Sequence, residues 1–341
     1  EIVEGIKIIR GKDYFNRNNY YPNLRGNTLC LRLIKEILLG DYDVVQCFPA
    51  INYNVMLARI CTWLKFIPCI LCCFDFLNYA QILKLQGDIE EDILEKTRLS
   101  PWRKFFLRKF DYIFSISDKE LAYMKKYNER IEFSPVPVLL EEFEQEIENP
   151  REKYGIKNDE FVFLVLGRVS QLKGQDIAVH AFKEFSHKNP NGKMVVVGRN
   201  DYSPQMTTEL MQYCHANGIA DRTIFTGGVS RREVLGWLKY CNIHVIPVRF
   251  MNSGAVVVET WASYRPVIQS DVVDPNLVVD GENGFLFKSR DITSLVEKMH
   301  LSYEHRNDFD RLAKNGRKLV EEKFNYNYLI NLYEKTYQDI I

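Results

Sequence analysis

Residues 242–284 follow a pattern that only a layered α/β protein accommodates: strand, turn, helix, strand. The apolar run 243–248 is typical of a buried parallel strand. Residues 252–254, Asn-Ser-Gly, then open a second apolar segment that ends near residue 263, because Asn and Ser are favoured at a helix N-cap. Residues 266–270 are predicted to form the next strand. In such a unit the N–H groups at the helix start point into the crevice above the sheet, where they favour an anion, above all a diphosphate.

Short apolar segments alternate with helical patterns along the rest of the chain. Strands are predicted over residues 1–12, 41–45, 68–73, 161–166 and 193–198, and helices over 28–39, 54–66 and from 291 to the end. This alternation predicts parallel sheets with helices on both faces. A chain of 341 residues is too long for one small core. Two domains are therefore expected, over residues 1–140 and 150–325, with the acidic segment 139–153 as the linker.

Composition excludes several classes of protein. The 45 basic residues balance the 45 acidic ones, which gives no general attraction to nucleic acid. No apolar run is long enough to span a membrane, and the sequence shows no secretory signal at Glu1. The densest cysteine group, Cys69, Cys72 and Cys73, lies in an apolar run, whereas a zinc site favours paired cysteines on loops. Reduced, buried thiols are therefore expected, together with a cytoplasmic location.

A second candidate anion site follows the predicted strand 161–166. Gly167 allows the backbone to approach a ligand closely, and Arg168 and Lys173 supply positive charge for a diphosphate without a metal. No Gly-x-Gly-x-x-Gly follows any predicted strand, which argues against a dinucleotide-dependent oxidoreductase. Glu259 is a single carboxylate in a strongly apolar helix. From the residues alone, it is either a solvated side chain or a paired, buried one, or it belongs to a site.

The stretch 242–284 resembles the donor-site signature of the family 4 retaining glycosyltransferases. Pro247, Glu259, Ala262 and the Pro-Val-Ile of 266–268 stand at the matching positions, and 280–284 resembles the family's closing turn. The resemblance implies the GT-B architecture, in which two Rossmann-like domains face each other across a cleft. It implies that the first domain lacks its usual first strand and Gly-rich turn, so that the chain is short or truncated at its front. It also implies that helix 326–341 returns to this domain.

The same resemblance implies a role for individual residues but identifies no catalytic one. It assigns the donor diphosphate to Gly167, Arg168, Lys173, Ser253, Gly254 and Ala255, and the donor ribose to Glu259. It places the nucleobase beside Arg199, Gly228 and Val229, and the sugar beside Met251 and Asn252. The implied reaction needs no cofactor beyond the nucleotide sugar as co-substrate and no obligatory metal. The implied acceptor is a hydroxyl group of a glycan, of a lipid-linked molecule or of another compound. Nucleic acid is not an expected partner.

Several positions near the expected sugar depart from the family pattern. Met251 replaces a Glu, Phe74 replaces a His, residues 272–273 are Val-Val where paired Gly is common, and Asn276 replaces a Glu. All six histidines lie at position 180 or beyond, so the first domain supplies none. Two interpretations remain open. The chain is an enzyme with an unusual donor, or it is a degenerate subunit that binds nucleotide without transferring sugar.

Residues 98–110 form a basic and aromatic segment, RLSPWRKFFLRKF. Ser100-Pro101 is a good helix start, and aromatic residues then follow at helical spacing among basic residues without an acid. A basic amphipathic helix of this kind is typical of contact with a membrane surface. The alternative is that its aromatics pack on the sheet and its charges are merely solvated. The first interpretation would make the protein peripheral at the inner face of the membrane.

Overall fold

The computed structural model describes residues 2–3, 6–7, 30–48, 53–73, 101–116, 118–201, 203–249, 254–272 and 277–341. The chain divides into two compact units, one of Glu1–Pro135 with Ile330–Ile341 and the other of Val136–Leu329. Each unit contains a parallel sheet covered by helices, so the predicted α/β class is confirmed. In the part of the chain that is described, no helix combines the length and the apolar character needed to cross a membrane.

The described residues of the first unit form six strands. The strands are β1 (Ile2–Val3), β2 (Ile6–Lys7), β3 (Val45–Cys47), β4 (Cys69–Cys73), β5 (Tyr112–Ser115) and β6 (Ile131–Phe133). Its helices are α1 (Leu31–Leu39), α2 (Tyr53–Leu64), α3 (Pro101–Leu107) and α4 (Asp118–Met124). The last four strands form a parallel sheet in the order β3-β4-β5-β6. The prediction of one strand over residues 1–12 is wrong in part, because β1 and β2 form an antiparallel pair.

The centre of the first sheet is β4, all five residues of which are buried. A strand that is covered on both faces reads as a continuous apolar run, which is why this segment was predictable. On one face, Ile70, Cys72 and Phe114 pack against Leu332 and Tyr333 of the last helix. That helix is α13, Tyr326–Ile340, and its residues from Ile330 onward belong to the first unit.

The described residues of the second unit form the other six strands and most of the helices. The strands are β7 (Phe161–Leu166), β8 (Gly192–Val197), β9 (Thr223–Gly227), β10 (Ile243–Ile246), β11 (Val267–Ser270) and β12 (Phe285–Phe287). The helices are α5 (Leu140–Glu144), α6 (Pro150–Lys153), α7 (Gln175–Lys188), α8 (Pro204–Ala216), α9 (Arg231–Tyr240), α10 (Ala255–Ala262), α11 (Ile292–Glu304) and α12 (Phe309–Lys323). The sheet is parallel in the order β12-β11-β10-β7-β8-β9.

The predicted strand–turn–helix–strand unit is present as β10, α10 and β11. The strands β10 and β11 are parallel neighbours, with His244 beside Val267 and Ile246 beside Gln269. α10 packs on this part of the sheet, where Val257, Val258 and Trp261 are buried. The carboxyl ends of β7, β8, β9, β10 and β11 therefore lie along one edge of the sheet, which is where open α/β sheets bind ligands.

Segment 139–153, predicted to be a linker, is folded into the second unit. It contains α5 and α6, and the side chains of Phe143 and Ile147 are buried. The buried Arg151 donates from Nε to the carbonyl of Tyr240 (2.8 Å) and from Nη2 to Oδ1 of Asn242 (2.6 Å). The acidic composition concealed this, because the segment contributes only a few apolar residues to a core that other elements complete.

Candidate functional site

The loop after β7 contains the predicted diphosphate residues Gly167, Arg168 and Lys173, and the structure brings them together. Arg168 is exposed at the end of the strand, and Lys173 lies in a 3-10 turn over residues 171–173. A Cβ atom added to Gly167 would lie 3.9 Å from Cδ of Lys173, so the lysine stem runs past this glycine. The loop thus presents two cations at the carboxyl edge of the sheet.

A buried glutamine, Gln175, fixes the shape of this loop. Its Nε2 donates to the carbonyl oxygens of Gly167 (3.3 Å) and Arg168 (3.1 Å), and its Oε1 accepts from the N–H of Ser170 (3.2 Å). The Gln175 side chain is fully buried, so its hydrogen bonds are shielded from water. Gln175 was not predicted as a site residue, because nothing in the sequence distinguishes it from the other polar residues of α7.

The same loop is fastened to the residues that follow β10. Gly174 has φ 70°, and a Cβ atom there would lie 1.9 Å from the carbonyl oxygen of Pro247, so only glycine fits. The N–H of Arg249 donates to the carbonyl of Leu172 (3.0 Å), and its guanidinium forms a fork with the carboxylate of Asp176, with Nη1 2.8 Å from Oδ1. The cationic loop and residues 247–249 therefore form one rigid piece.

The start of α10 is the second predicted part of the diphosphate site. The residue before the helix is Gly254, with φ 73°, and a Cβ atom there would lie 2.3 Å from Cδ2 of Leu277. α10 begins at Ala255, and the first N–H groups of a helix have no partner within it. The predicted site residues Met251, Asn252 and Ser253, like the departures Phe74, Val273 and Asn276, lie outside the described residues.

Glu259, the predicted ribose ligand, lies in the middle of α10 with its side chain 23% exposed. Its Oε1 accepts a hydrogen bond from Nη1 of Arg231 (2.7 Å), which begins α9. The same guanidinium donates from Nε and Nη2 to the two oxygens of Glu142 (3.1 and 2.8 Å). The hydrogen bond from Arg231 holds the pKa of the Glu142 carboxyl below its usual range. Neither Arg231 nor Glu142 was predicted from the sequence.

A buried histidine connects the two halves of the candidate diphosphate site. Nε2 of His244 accepts from the N–H of Leu166 (3.3 Å), so Nδ1 carries the proton and donates to Oγ1 of Thr260 (2.7 Å). Thr260 in turn donates to the carbonyl of Val256 (2.6 Å). Burial lowers the pKa of His244 to about 3, so the ring is neutral. The chain of bonds joins the end of β7 to the first turns of α10.

The predicted nucleobase residues also lie together, at the ends of β8 and β9. A Cβ atom added to Gly228 would lie 2.6 Å from Cγ of Arg199, so the arginine stem covers this glycine. The Arg199 side chain is 67% exposed, with Nε 3.9 Å from Oδ2 of Asp201. Val229, the next residue along, is half-buried. A planar base has an apolar stem and a guanidinium to contact at this position.

All eight cysteines are free thiols. Five of them lie in the first unit's core, and the sulfur atoms of Cys47 and Cys69 are 3.9 Å apart. The hydrogen bond with Cys69, together with burial, raises the pKa of Cys47 well above its usual range. Within the described ranges, no three His, Cys, Asp or Glu side chains are grouped to hold a metal ion.

Comparison with known proteins places these residues in a family context. The profile of the family described as Glycosyl transferases group 1 matches residues 146–319, which include every described donor-side residue above. The chain is 27% identical to the alpha-D-kanosaminyltransferase of Streptomyces kanamyceticus over 178 residues, covering 51% of this chain and 44% of the relative. It is 26% identical to the capsular polysaccharide biosynthesis glycosyltransferase CapM of Staphylococcus aureus over 206 residues, covering 60% and 53%. The match thus spans about half the length of these relatives.

Among solved structures, the chain is similar to Alr3699/HepE of Anabaena in complex with UDP and glucose. The TM-score is 0.70 at 17% identity, and the match covers 90% of this chain and 81% of that one. At this level of identity the likeness concerns the fold. It confirms the predicted GT-B class for a chain whose two sheets the sequence pattern had already indicated.

Proposed function

We propose that this chain, which belongs to the Glycosyl transferases group 1 family, moves a sugar from a nucleotide diphosphate donor to an acceptor hydroxyl with retention of the anomeric configuration. The observation that supports the proposal is that the loop after β7 is bonded to the segment after β10 at the carboxyl edge of the sheet. Arg168 and Lys173 stand on a loop that Gly174 and Arg249 fasten to the segment leading to α10. The two cations are thereby fixed beside the carboxyl end of β10, the strand that precedes α10.

This arrangement suits the departure of a diphosphate. As the bond between the sugar and the diphosphate breaks, negative charge grows on the leaving oxygen, and groups already oriented toward it lower the barrier. Arg168, Lys173 and the first N–H groups of α10 from Ala255 onward supply that stabilisation. Because Gln175 holds the backbone of the cationic loop and His244 is bonded to Thr260 of α10, little backbone reorganisation is required when the donor binds. Fixed cations take the role that a metal plays elsewhere, so no obligatory metal is proposed.

The remaining donor contacts follow along the same edge. Glu259 accepts hydrogen bonds from the ribose hydroxyls, since a carboxylate can accept two at once. Arg199, Gly228 and Val229 form the wall for the nucleobase, and Met251 and Asn252 belong to the sugar side. One of the similar structures holds UDP and glucose, and one relative acts in capsular polysaccharide biosynthesis. We accordingly propose a glycan or glycolipid acceptor.

A second function is favoured by the departures near the sugar. Met251, Phe74 and Asn276 replace acidic or basic residues of the family pattern, whereas the diphosphate and ribose positions are kept. A subunit that binds the nucleotide without transferring sugar would show this distribution. Such a subunit differs from the enzyme in one measurable respect, because the sugar of the donor adds nothing to its binding affinity.

We also propose that α3 contacts an anionic lipid surface. Its Phe106, together with the following Phe110, is buried in the core, but Trp102 is 71% and Phe105 49% exposed. Nζ of Lys109 lies 5.7 Å from the centre of the Phe105 ring, and Arg108 is exposed beside it. Exposed aromatic rings accompanied by basic side chains fit the interface of such a membrane. Residues 98–100 of the predicted segment lie outside the described residues.

The function is tested with a panel of UDP-, GDP- and ADP-sugars. Release of nucleoside diphosphate is followed with and without simple glycoside acceptors, in the wild type and in the Arg168→Gln/Lys173→Gln double variant. We expect at least one donor to turn over, with loss of that turnover in the double variant. Proton NMR of the first-formed glycoside then reports whether the anomeric configuration is retained. Turnover unaffected by the double variant would remove the reaction from this site.

A further inference from the structure

Arg231 occupies a position that the proposed donor contacts do not explain. It is the first residue of α9, and its guanidinium lies between two carboxylates, Glu142 of α5 and Glu259 of α10. Nε and Nη2 form a side-on fork with Glu142, at 3.1 and 2.8 Å. Nη1, the remaining end of the guanidinium, donates to Oε1 of Glu259 at 2.7 Å.

The fork fixes the direction in which Nη1 points. A two-bond contact between a guanidinium and a carboxylate sets the plane of both groups, which a single lysine bond would not do. The guanidinium carbon also lies 5.6 Å from the centre of the Phe143 ring, and Phe143 is buried. Glu142 and Phe143 thus orient Arg231, and Arg231 orients Glu259.

Glu142 is itself a fixed anchor, because α5 is attached to α10 at a second place. Arg317 of α12 donates from Nη2 to Oε1 of Glu144 (3.0 Å) and from Nη1 to the carbonyl of Ala262 (2.7 Å). The Arg317 side chain is only 5% exposed, so water competes little for these bonds. Two arginines therefore connect the segment that begins the second unit to the helix that carries Glu259.

We propose that Arg231 is a positioning residue that gives the donor site its preference for ribose over 2′-deoxyribose. The inference rests on the proposed function, in which Glu259 accepts the two ribose hydroxyls. Among the residues that the structure describes, Oε2 of Glu259 receives no hydrogen bond, and Oε1 has a second lone pair beyond the one that Arg231 uses. The carboxylate is consequently held in one orientation with an acceptor on each oxygen for a vicinal diol.

A carboxylate that is free to rotate pays an entropic cost each time it aligns with two hydroxyls, and Arg231 removes that cost in advance. The gain is realised only when both hydroxyls are present. Replacing Arg231 should therefore weaken binding of a ribonucleotide more than binding of its 2′-deoxy analogue. A residue that merely supported the fold would weaken both alike.

The test is calorimetry with UDP, GDP and ADP, each paired with its 2′-deoxy form. The pair used is the one whose ribonucleotide binds the wild type most tightly. We expect Arg231→Gln to weaken ribonucleotide binding by about tenfold and 2′-deoxynucleotide binding by less than about threefold, since one charge-assisted hydrogen bond is lost. Glu142→Gln, which weakens the fork, should give an intermediate loss, and Arg231→Lys should restore part of the preference.

The neighbouring arginine provides a matched control. Nη2 of Arg232 contacts the carbonyl of Glu146 at 3.4 Å, and no carboxylate in the described part of the chain pairs with it. Arg232→Gln removes the same charge from the same helical turn, and the preference for ribose should be unchanged. If Arg231→Gln does not fold, Glu142→Gln and Arg231→Lys still carry the test.

The outcomes separate this inference from the function on which it rests. If Glu259→Gln abolishes the ribose preference and Arg231→Gln reduces it, both stand. If Glu259→Gln abolishes the preference but Arg231→Gln lowers both affinities equally, or neither, Arg231 has no positioning role. If Glu259→Gln leaves the preference intact, or no nucleoside diphosphate binds, the ribose assignment itself fails and the inference fails with it.

Discussion

At the scale of single residues, the two cations of the loop after β7 are the proposed contacts of the donor diphosphate. Arg168→Ala or Lys173→Ala is expected to weaken binding of a nucleoside diphosphate by about 1.5–3 kcal/mol, the range for hydrogen bonds to charged groups. The fold should survive, because Arg168 is exposed and Lys173 lies in a surface turn. Calorimetry gives the affinity, with Lys183→Ala as the control for loss of a surface charge on α7. Unchanged affinity in both loop variants would place the donor elsewhere.

His244 makes the stability of the second unit depend on pH. Burial lowers its pKa from the ordinary 6.5 to about 3, so below pH 6.5 the unfolded chain binds a proton that the folded chain does not. The contribution is complete above pH 6.5 and is lost progressively as the pH falls toward 3. When the pH is lowered from about 7.5 to about 5.5, the free energy of unfolding should fall by about 1.4 kcal/mol because of this residue.

The measurement is urea unfolding at several pH values. His244→Gln keeps one donor and one acceptor but does not titrate, so its stability should fall less steeply with pH than that of the wild type. His187→Gln, at an exposed position of α7, is the control for the loss of a histidine outside the core. Equal slopes for the wild type and His244→Gln would show that the folded protein binds this proton after all.

Which site residues were predictable follows from the distance between partners in the chain. Arg168, Lys173 and Glu259 belong to motifs that are short in sequence, and the structure places them on one sheet edge or on the helix that leaves it. Arg231 lies 89 residues from Glu142 and 28 from Glu259, so no local sequence pattern indicates that these three side chains are bonded to one another. Glu259 was expected to be either solvated or paired. In the protein without a ligand it is paired, and Arg231 is its partner.

At the scale of elements, apolar periodicity located the strands β7, β8, β10 and β11 to within a few residues, but the helices α8 and α9 and the strand β12 were not predicted. The predicted strand 161–166 coincides with β7, and α10 begins at Ala255 where a start at 252–254 was expected. The predicted linker failed for an electrostatic reason. The acidic residues Glu142 and Glu144 look like a solvated run, but each pairs with an arginine from a distant helix.

The helix α3 is the element whose role the fold leaves open. Its buried half, Phe106 and Leu107, supports the packing interpretation, and its exposed Trp102 and Phe105 support the lipid one. Liposomes rich in anionic lipid should sediment the protein at low salt, with about 1 kcal/mol contributed by each basic residue near the surface. Changing Arg103, Lys104, Arg108 and Lys109 to Gln should release it.

A matched control keeps the charges and removes the rings. Trp102→Gln/Phe105→Gln should reduce sedimentation while leaving its salt dependence, because apolar insertion and charge attraction contribute separately. A wild-type protein that remains in the supernatant with anionic liposomes even at low salt would leave α3 as an ordinary part of the domain surface.

At the scale of the whole molecule, the alternation of strands and helices was sufficient to predict two parallel α/β sheets. The alternation was insufficient to predict the order of the strands within a sheet, because β10 pairs with β7 although three helices and two strands lie between them in the sequence. The segment over residues 1–12 was predicted as one strand, but Ile2–Val3 and Ile6–Lys7 pair as two antiparallel strands. Hydrophobicity specifies that a segment is extended, whereas its partner is decided by turns and by the elements that cover it.

The donor sugar is the point at which this chain and its family pattern differ most. Met251 is apolar and flexible, and it accepts a hydrogen bond from a sugar hydroxyl poorly where the family has a Glu. An enzyme with this residue is expected to favour a donor that tolerates an apolar wall, such as a deoxy or acetamido sugar. Recognition of the nucleotide, which we propose to depend on Arg168, Lys173 and Glu259, should be unaffected.

The most direct test of the central claim compares the affinity for a nucleoside diphosphate with that for the corresponding nucleotide sugar, measured by calorimetry together with turnover. The panel includes deoxy and acetamido sugars. We predict that at least one sugar improves affinity by more than about 1.4 kcal/mol, a factor of ten, and that this donor is also transferred. Equal affinity for the diphosphate and for every nucleotide sugar, with no transfer, would contradict the proposed enzyme and leave a nucleotide-binding subunit.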